Sequence, residues 1–193
     1  MLKTKNEKKF DFAKVEKGVQ FILEGVGENP EREGLKDTPK RVARFWKEFI
    51  TPKEVKHSFF SSSYDQMIIV KEISFYSMCE HHLLPFIGQV AVGYIPSNGK
   101  VLGLSKIIRI VESHTGKLQI QERMTEDIGR EIERLVSPKG IGVWVEARHL
   151  CMSLRGVKNK TSNAVTSYLS GVFKENLITR EEFMKNVMGN NHG

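Results

Sequence analysis

The chain of 193 residues is poor in cysteine, with two, and poor in long apolar stretches: the longest unbroken run is four residues, Met67 to Val70. Two cysteines cannot staple a small secreted scaffold, so thiol or metal-ligand roles come ahead of a disulfide framework. A bilayer-spanning helix needs roughly 20 apolar residues, and no membrane partner is expected. The start, MLKTKNEKKF, is basic but leads into an amphipathic pattern with no apolar stretch and no small-residue cleavage site, which predicts a cytoplasmic protein. Acids are in deficit, 23 Asp+Glu against 30 Lys+Arg, for a formal charge of +7. That balance suits an anionic partner, yet no helix-turn-helix, finger or RNA-recognition signature is present, so no nucleic acid is expected. A GxxxxGK[ST] loop is absent too, and a bound nucleotide would not be held as in the common NTPases. What is present, 39% hydrophobic and 27% charged residues, suits one packed domain with a small appendage.

Phe12, Val15, Val19, Ile22, Leu23 and Val26 recur at helical spacing until Gly25, Gly27 and Asn29-Pro30 stop the pattern. In KDTPKRVARFWKEFITP, Thr38 is placed to cap a second helix, Pro39 suits its first position, and Val42, Phe45, Trp46, Phe49 and Ile50 form one apolar face. The Ser-rich segment His57 to Asp65 reads as an irregular linker, dividing an N-terminal helical extension, residues 1–65, from a main domain, residues 66–193. There, Met67 to Met78 and Phe86 to Ile95 read as strands, and helices are expected from about Ser105 and from Ile120 to Val136. Two further strands follow, from Gly140 with strict alternation and from Ala164 to Phe173, then a terminal helix from Thr179 to about Met188. The expectation is an α+β fold, a four-stranded antiparallel sheet in the order ββααββ. Such a sheet leaves two unprotected edges, which predicts pairing between subunits and closure into a barrel by oligomerisation.

Both cysteines stand beside histidines, in Cys79-Glu80-His81-His82 and in His149-Leu150-Cys151. Thiolate and imidazole are preferred zinc ligands, and three of them with an open fourth position make a catalytic site. Cys79, one of the two adjacent histidines, and Cys151 fit that count. On an extended strand His149 and Cys151 would share a face, one binding metal and the other working beside it. The bland alternative is two unrelated buried thiols with satisfied histidines. Between Ala147 and Lys174 lie Arg148, Arg155, Lys158, Lys160 and Lys174 without an acid, which marks either an anion site or a solvated basic face. A zinc-stabilised nucleic-acid binder is the competitor from another class, and it would need a fourth protein ligand to close the metal.

The segments MCEHHLLPF, GLSKIIRIVE, LQIQERMTEDI and HLCMSLRGV resemble the signature segments of the GTP cyclohydrolase I family, over roughly Lys36 to Phe183. The resemblance implies the tunnelling fold, a toroidal homodecamer with active sites between subunits, and hydrolysis of GTP to formate and 7,8-dihydroneopterin triphosphate, the first step toward folate or another pterin. It implies zinc, Zn2+, on Cys79, His82 and Cys151, with His81, His149 and Ser105 catalytic. By the same resemblance Gln121-Glu122 matches the guanine-binding segment, Lys106, Arg109 and Arg155 match ribose and phosphate contacts, and Arg41 and Arg44 face the triphosphate. His114-Thr115-Gly116-Lys117 and LRGVKNK depart from the family's usual residues in two loops. The nearest enzyme competitor, the nitrile reductase branch of the same fold, uses a nucleophilic Cys with NADPH and no zinc, against which the two-part Cys/His set argues.

Overall fold

The computed structural model describes residues 10–51 and 59–188, in two compact units that divide between Thr51 and Pro52. In the first, α1 (Phe12–Gly25) is capped by Asp11, whose carboxylate accepts from the Lys14 N–H at 3.0 Å. The second helix, α2 (Thr38–Ile50), has Asp37 at its cap position, which corrects the expectation for Thr38 by one residue. Asp37 makes no side-chain cap bond there; its carboxylate stands 3.5 Å from the Arg41 guanidinium one turn on. Phe45, Trp46 and Phe49 pack ring against ring along α2, with centroids 5.6 to 6.0 Å apart.

The second unit contains β1 (Phe59–Ser61), β2 (Ile68–Cys79), β3 (Pro85–Ile95), β4 (Lys100–Leu102), α3 (Leu104–Thr115), β5 (Leu118–Gln119), α4 (Gln121–Val136), β6 (Gly140–His149), α5 (Leu150–Ser153), β7 (Ala164–Gly171), α6 (Val172–Glu175) and α7 (Leu177–Met188). The four expected strands are present and antiparallel in the order β2-β3-β6-β7. Two-residue β5 adds a fifth strand, parallel to β2, so the sheet is mixed rather than purely antiparallel. Part of the expected linker is also strand: β1 pairs with β4, because both run extended beside one another. His57 and Ser58 lie outside the described residues. The last strand ends at Gly171, two residues short of expectation, since Gly171 takes φ 51° and turns the chain into α6.

Period-two alternation divides the sheet's residues between two faces. Phe75, Phe86, Val90, Val143 and Val145 point to the face covered by α3 and α4, where Ile107, Ile110, Met124, Ile128 and Ile132 are fully buried against them. Each such side chain contributes about 1.5–3 kcal/mol by leaving water. On the other face, Ala91 and Trp144 pack with Phe173 of α6 and Phe183 of α7. Gly93 and Gly142 are cross-strand partners beneath Phe183, and a Cβ on either would stand 2.7 Å from its ring. No helix among the described residues is long and apolar enough to cross a membrane.

Candidate metal centre and active site

Strand register assembles the site. The β2–β3 hairpin loop carries Cys79 to Leu84, closed by the Cys79 N–H to the Leu84 carbonyl at 2.9 Å and the Leu83 N–H to the Cys79 carbonyl at 2.9 Å. Leu83 takes φ 53° to complete the turn. Pairing of β3 with β6 sets Phe86 opposite His149, and pairing of β2 with β5 sets Cys79 opposite Gln119, two residues before Gln121. The hairpin, the end of β6 and the start of α4 therefore meet at one end of the sheet.

Within that meeting point the ligand atoms of Cys79, His82 and Cys151 all lie within 4.8 Å of one another. Cys79 Sγ is 3.7 Å from His82 Nδ1, close to the spacing of about 3.5 Å between ligands on a tetrahedral zinc with bonds of ~2.0–2.3 Å. The donor set fits a soft to borderline divalent ion. Burial pushes the Cys151 thiol up, the neighbouring Cys79 sulfur adds to the rise, and the Arg155 guanidinium opposes it. A cation held between the two sulfurs is what would stabilise both as thiolates. Cys151 lies on α5 rather than on an extended strand with His149, which corrects that part of the expectation: β6 ends at His149 and the chain turns helical.

His149 is half-buried and held on two sides. Its ring stacks on Phe86 with centroids 4.6 Å apart and 3° between planes. Its Nε2 is 2.8 Å from the side-chain oxygen of Gln121. Burial lowers its pKa below the usual imidazole value, and the Glu122 carboxylate partly opposes this. His81 is exposed, with its ring 6.3 Å from that of His82, and has no hydrogen bond among the described residues. Arg155 donates to His82 Nε2 at 2.6 Å, so it stands beside the thiol–imidazole group.

The other expected residues are placed as follows. Glu122 is exposed in the first turn of α4 beside His149, whereas Gln121 is buried with both ends of its amide bonded inside the chain. On α3, Ser105 and Arg109 are exposed, and Lys106 is 2% exposed with its ammonium lacking a hydrogen-bond partner among the described residues. None of these three is hydrogen bonded to the thiol–imidazole group among the described residues. Arg41 and Arg44 are exposed on α2 of the first unit. Sequence reasoning passed over Arg123, which hydrogen bonds Glu80 in the hairpin loop and Gln119 Oε1 at 2.9 Å. That bond holds the Glu80 carboxyl below the usual carboxylate range and raises Arg123. It also passed over Phe86, Thr125 and Thr166, whose parts depend on contacts across strands.

The family model described as GTP cyclohydrolase I matches residues 15–188. A GTP cyclohydrolase 1 of Sulfurihydrogenibium sp. (strain YO3AOP1) is 51% identical over 176 residues, covering 90% of this chain and 94% of that protein. A GTP cyclohydrolase 1 of Aquifex aeolicus (strain VF5) is 50% identical over 181 residues, covering 93% and 98%. Among solved structures, an archaeosine synthase QueF-Like in the apo form covers 54% of this chain at 20% identity and TM-score 0.45, too distant to bear on fold or function. With a match running through both units and through every segment that builds the thiol–imidazole site, the chain belongs to the GTP cyclohydrolase I family.

Proposed function

We propose that this chain is a GTP cyclohydrolase I, converting GTP and water to formate and 7,8-dihydroneopterin triphosphate and so opening a route to folate or another pterin. The observation that supports this most is the convergence of Cys79, His82 and Cys151 within 4.8 Å beside a half-buried His149, in a chain about half identical to GTP cyclohydrolase 1 relatives over nearly its whole length. The three ligands would hold zinc, which supplies a Lewis acid and an acidified water at its open position when bound.

Around that centre the chain's own groups divide the work. Glu122 offers two acceptor oxygens to the paired N–H donors of guanine, the complement a carboxylate matches best. His149, whose burial favours the neutral imidazole, takes a proton from the water that adds to C8 and returns it to the adjacent ring nitrogen, after which the five-membered ring opens. His81 and Ser105 are assigned the later proton transfers of ribose opening, rearrangement and ring closure. Lys106, whose buried ammonium has no hydrogen-bond partner among the described residues, and Arg109 and Arg155 are anion contacts for ribose and phosphates. Arg41 and Arg44 are assigned to the triphosphate on the resemblance alone. The tunnelling fold, the closing of sheets into a barrel and a homodecamer with sites shared between subunits belong to the same reading. Incubation of the purified, zinc-loaded protein with GTP tests it: formate and a fluorescent pterin should appear in equal amounts. Zinc bound without either product would leave a noncatalytic zinc protein instead.

A further inference from the structure

We propose that Gln121 is a positioning residue that fixes His149 as the tautomer protonated on Nε2, leaving Nδ1 as the atom His149 turns to the reacting substrate. This deepens the reading above and rests on His149 being the proton-transfer group.

The argument is one of donor and acceptor accounting. Gln121 is 2% exposed at the first position of α4. Its amide nitrogen lies 3.2 Å from the Val145 carbonyl of β6, 3.0 Å from the Ala164 carbonyl of β7 and 3.1 Å from the Thr166 hydroxyl. An amide oxygen in that place would face two carbonyl oxygens, so the side chain cannot be flipped. The hydroxyls run in one direction as well. Thr125 has a single proton and gives it to the Gln121 main-chain carbonyl at 2.7 Å, so the 2.7 Å contact between Thr125 and Thr166 is donated by Thr166. Thr166 is then left with a lone pair for the Gln121 amide, and the ring of bonds closes on itself.

With its nitrogen committed, Gln121 presents only oxygen to His149. An oxygen accepts and never donates, so His149 Nε2 at 2.8 Å carries the proton. Stacking on Phe86 fixes the plane of the ring. A rotation of the imidazole by half a turn would replace Nε2 at Gln121 with a carbon and leave a buried acceptor unmet, which is costly. The proton position on one imidazole is thus set by α4, β6 and β7 together, and the side-chain N–H groups of Gln121 are committed inside the chain rather than to guanine.

The test uses full-length, zinc-loaded protein carrying 15N-histidine, with the His149 signals identified by their absence from His149→Phe. Long-range proton–nitrogen spectra should show Nε2 protonated and Nδ1 bare. Gln121→Met should blur that tautomer and lower kcat by about 10- to 100-fold, with KM for GTP changed less than about threefold and zinc content per chain unchanged. Thr166→Val should move the spectrum and kcat in the same direction by less. A wild-type His149 protonated on Nδ1 would overturn the proposal. So would a Gln121→Met variant that keeps the tautomer and loses KM, since Gln121 would then contact the base. If Gln121→Met does not fold, the wild-type spectrum and Thr166→Val decide. Full turnover in His149→Phe would instead defeat the proton-transfer reading, with the spectrum still deciding the tautomer.

Discussion

The two segments that bring the thiols are built to different standards of rigidity. Residues 149–151 follow a fully paired strand, and their imidazole is clamped by a stacked ring and a locked amide. Residues 79–84 form a hairpin loop that starts at the buried Cys79 and exposes Glu80 to Leu83, tied by backbone bonds and by two exposed side-chain pairs, Glu80–Arg123 and His82–Arg155. One side is organised by the protein alone. The other has its ligands at the right spacing, but His82 is held by a single exposed bond from Arg155, which leaves the metal to complete it.

The largest test of this contrast is Cys151→Ser, which removes the ligand on the rigid side. A hydroxyl is a poor zinc ligand, so zinc measured by elemental analysis and turnover of GTP should both be lost. Retention of one equivalent of zinc with activity would mean that the loop holds the metal by itself. Next in size is Glu122→Gln, which touches neither segment's ligands. It places an NH₂ against guanine's donors and should lower kcat/KM by roughly 2–5 kcal/mol, with zinc content unchanged. An unchanged kcat/KM would return Glu122 to a surface role at the helix start.

Chelation of zinc should separate the two segments directly. Amide hydrogen exchange in residues 79–84 is expected to rise by more than in residues 149–153, because the latter keep part-buried side-chain anchors while those of the loop are exposed. Equal loosening would show that the clamp on His149 also depends on the metal. The smallest effect belongs to Glu80→Gln. The pair it breaks is exposed, so zinc affinity should fall by no more than about fivefold in a competition titration.

Much of the site was legible because its chemistry is local: Cys79, His82, His149 and Cys151 stand within two short segments, and alternation from Gly140 identifies the strand that delivers the second. What could not be read depends on partners far away in sequence. Gln121 looks like a substrate residue in a polar helix start, and its bonds to Val145, Ala164 and Thr166 span 24, 43 and 45 residues. β5 is two residues long, too short to display any period, and exists only through its pairing with β2. β1 hides in a Ser-rich stretch because its strand character comes from Lys100–Leu102. Lys106 sits on a helix whose apolar period gives no hint that a lysine on it is buried.

The paired glycines under Phe183 carry a consequence for how the chain is made. A ribosome releases β3 and β6 before it releases α7, so the middle of the sheet first forms with Gly93 and Gly142 side by side and a gap above them. Gly carries a conformational cost in an extended strand, and Ala91 and Trp144 beside it have Phe173 of α6 but not yet Phe183 of α7 against them until α7 arrives. The piece that completes the cover on the sheet's second face is therefore made after the sheet itself. A nascent chain halted before Leu177 should hold its α3–α4 face and remain open to protease on the other, and the final dozen residues of α7 act as the latch.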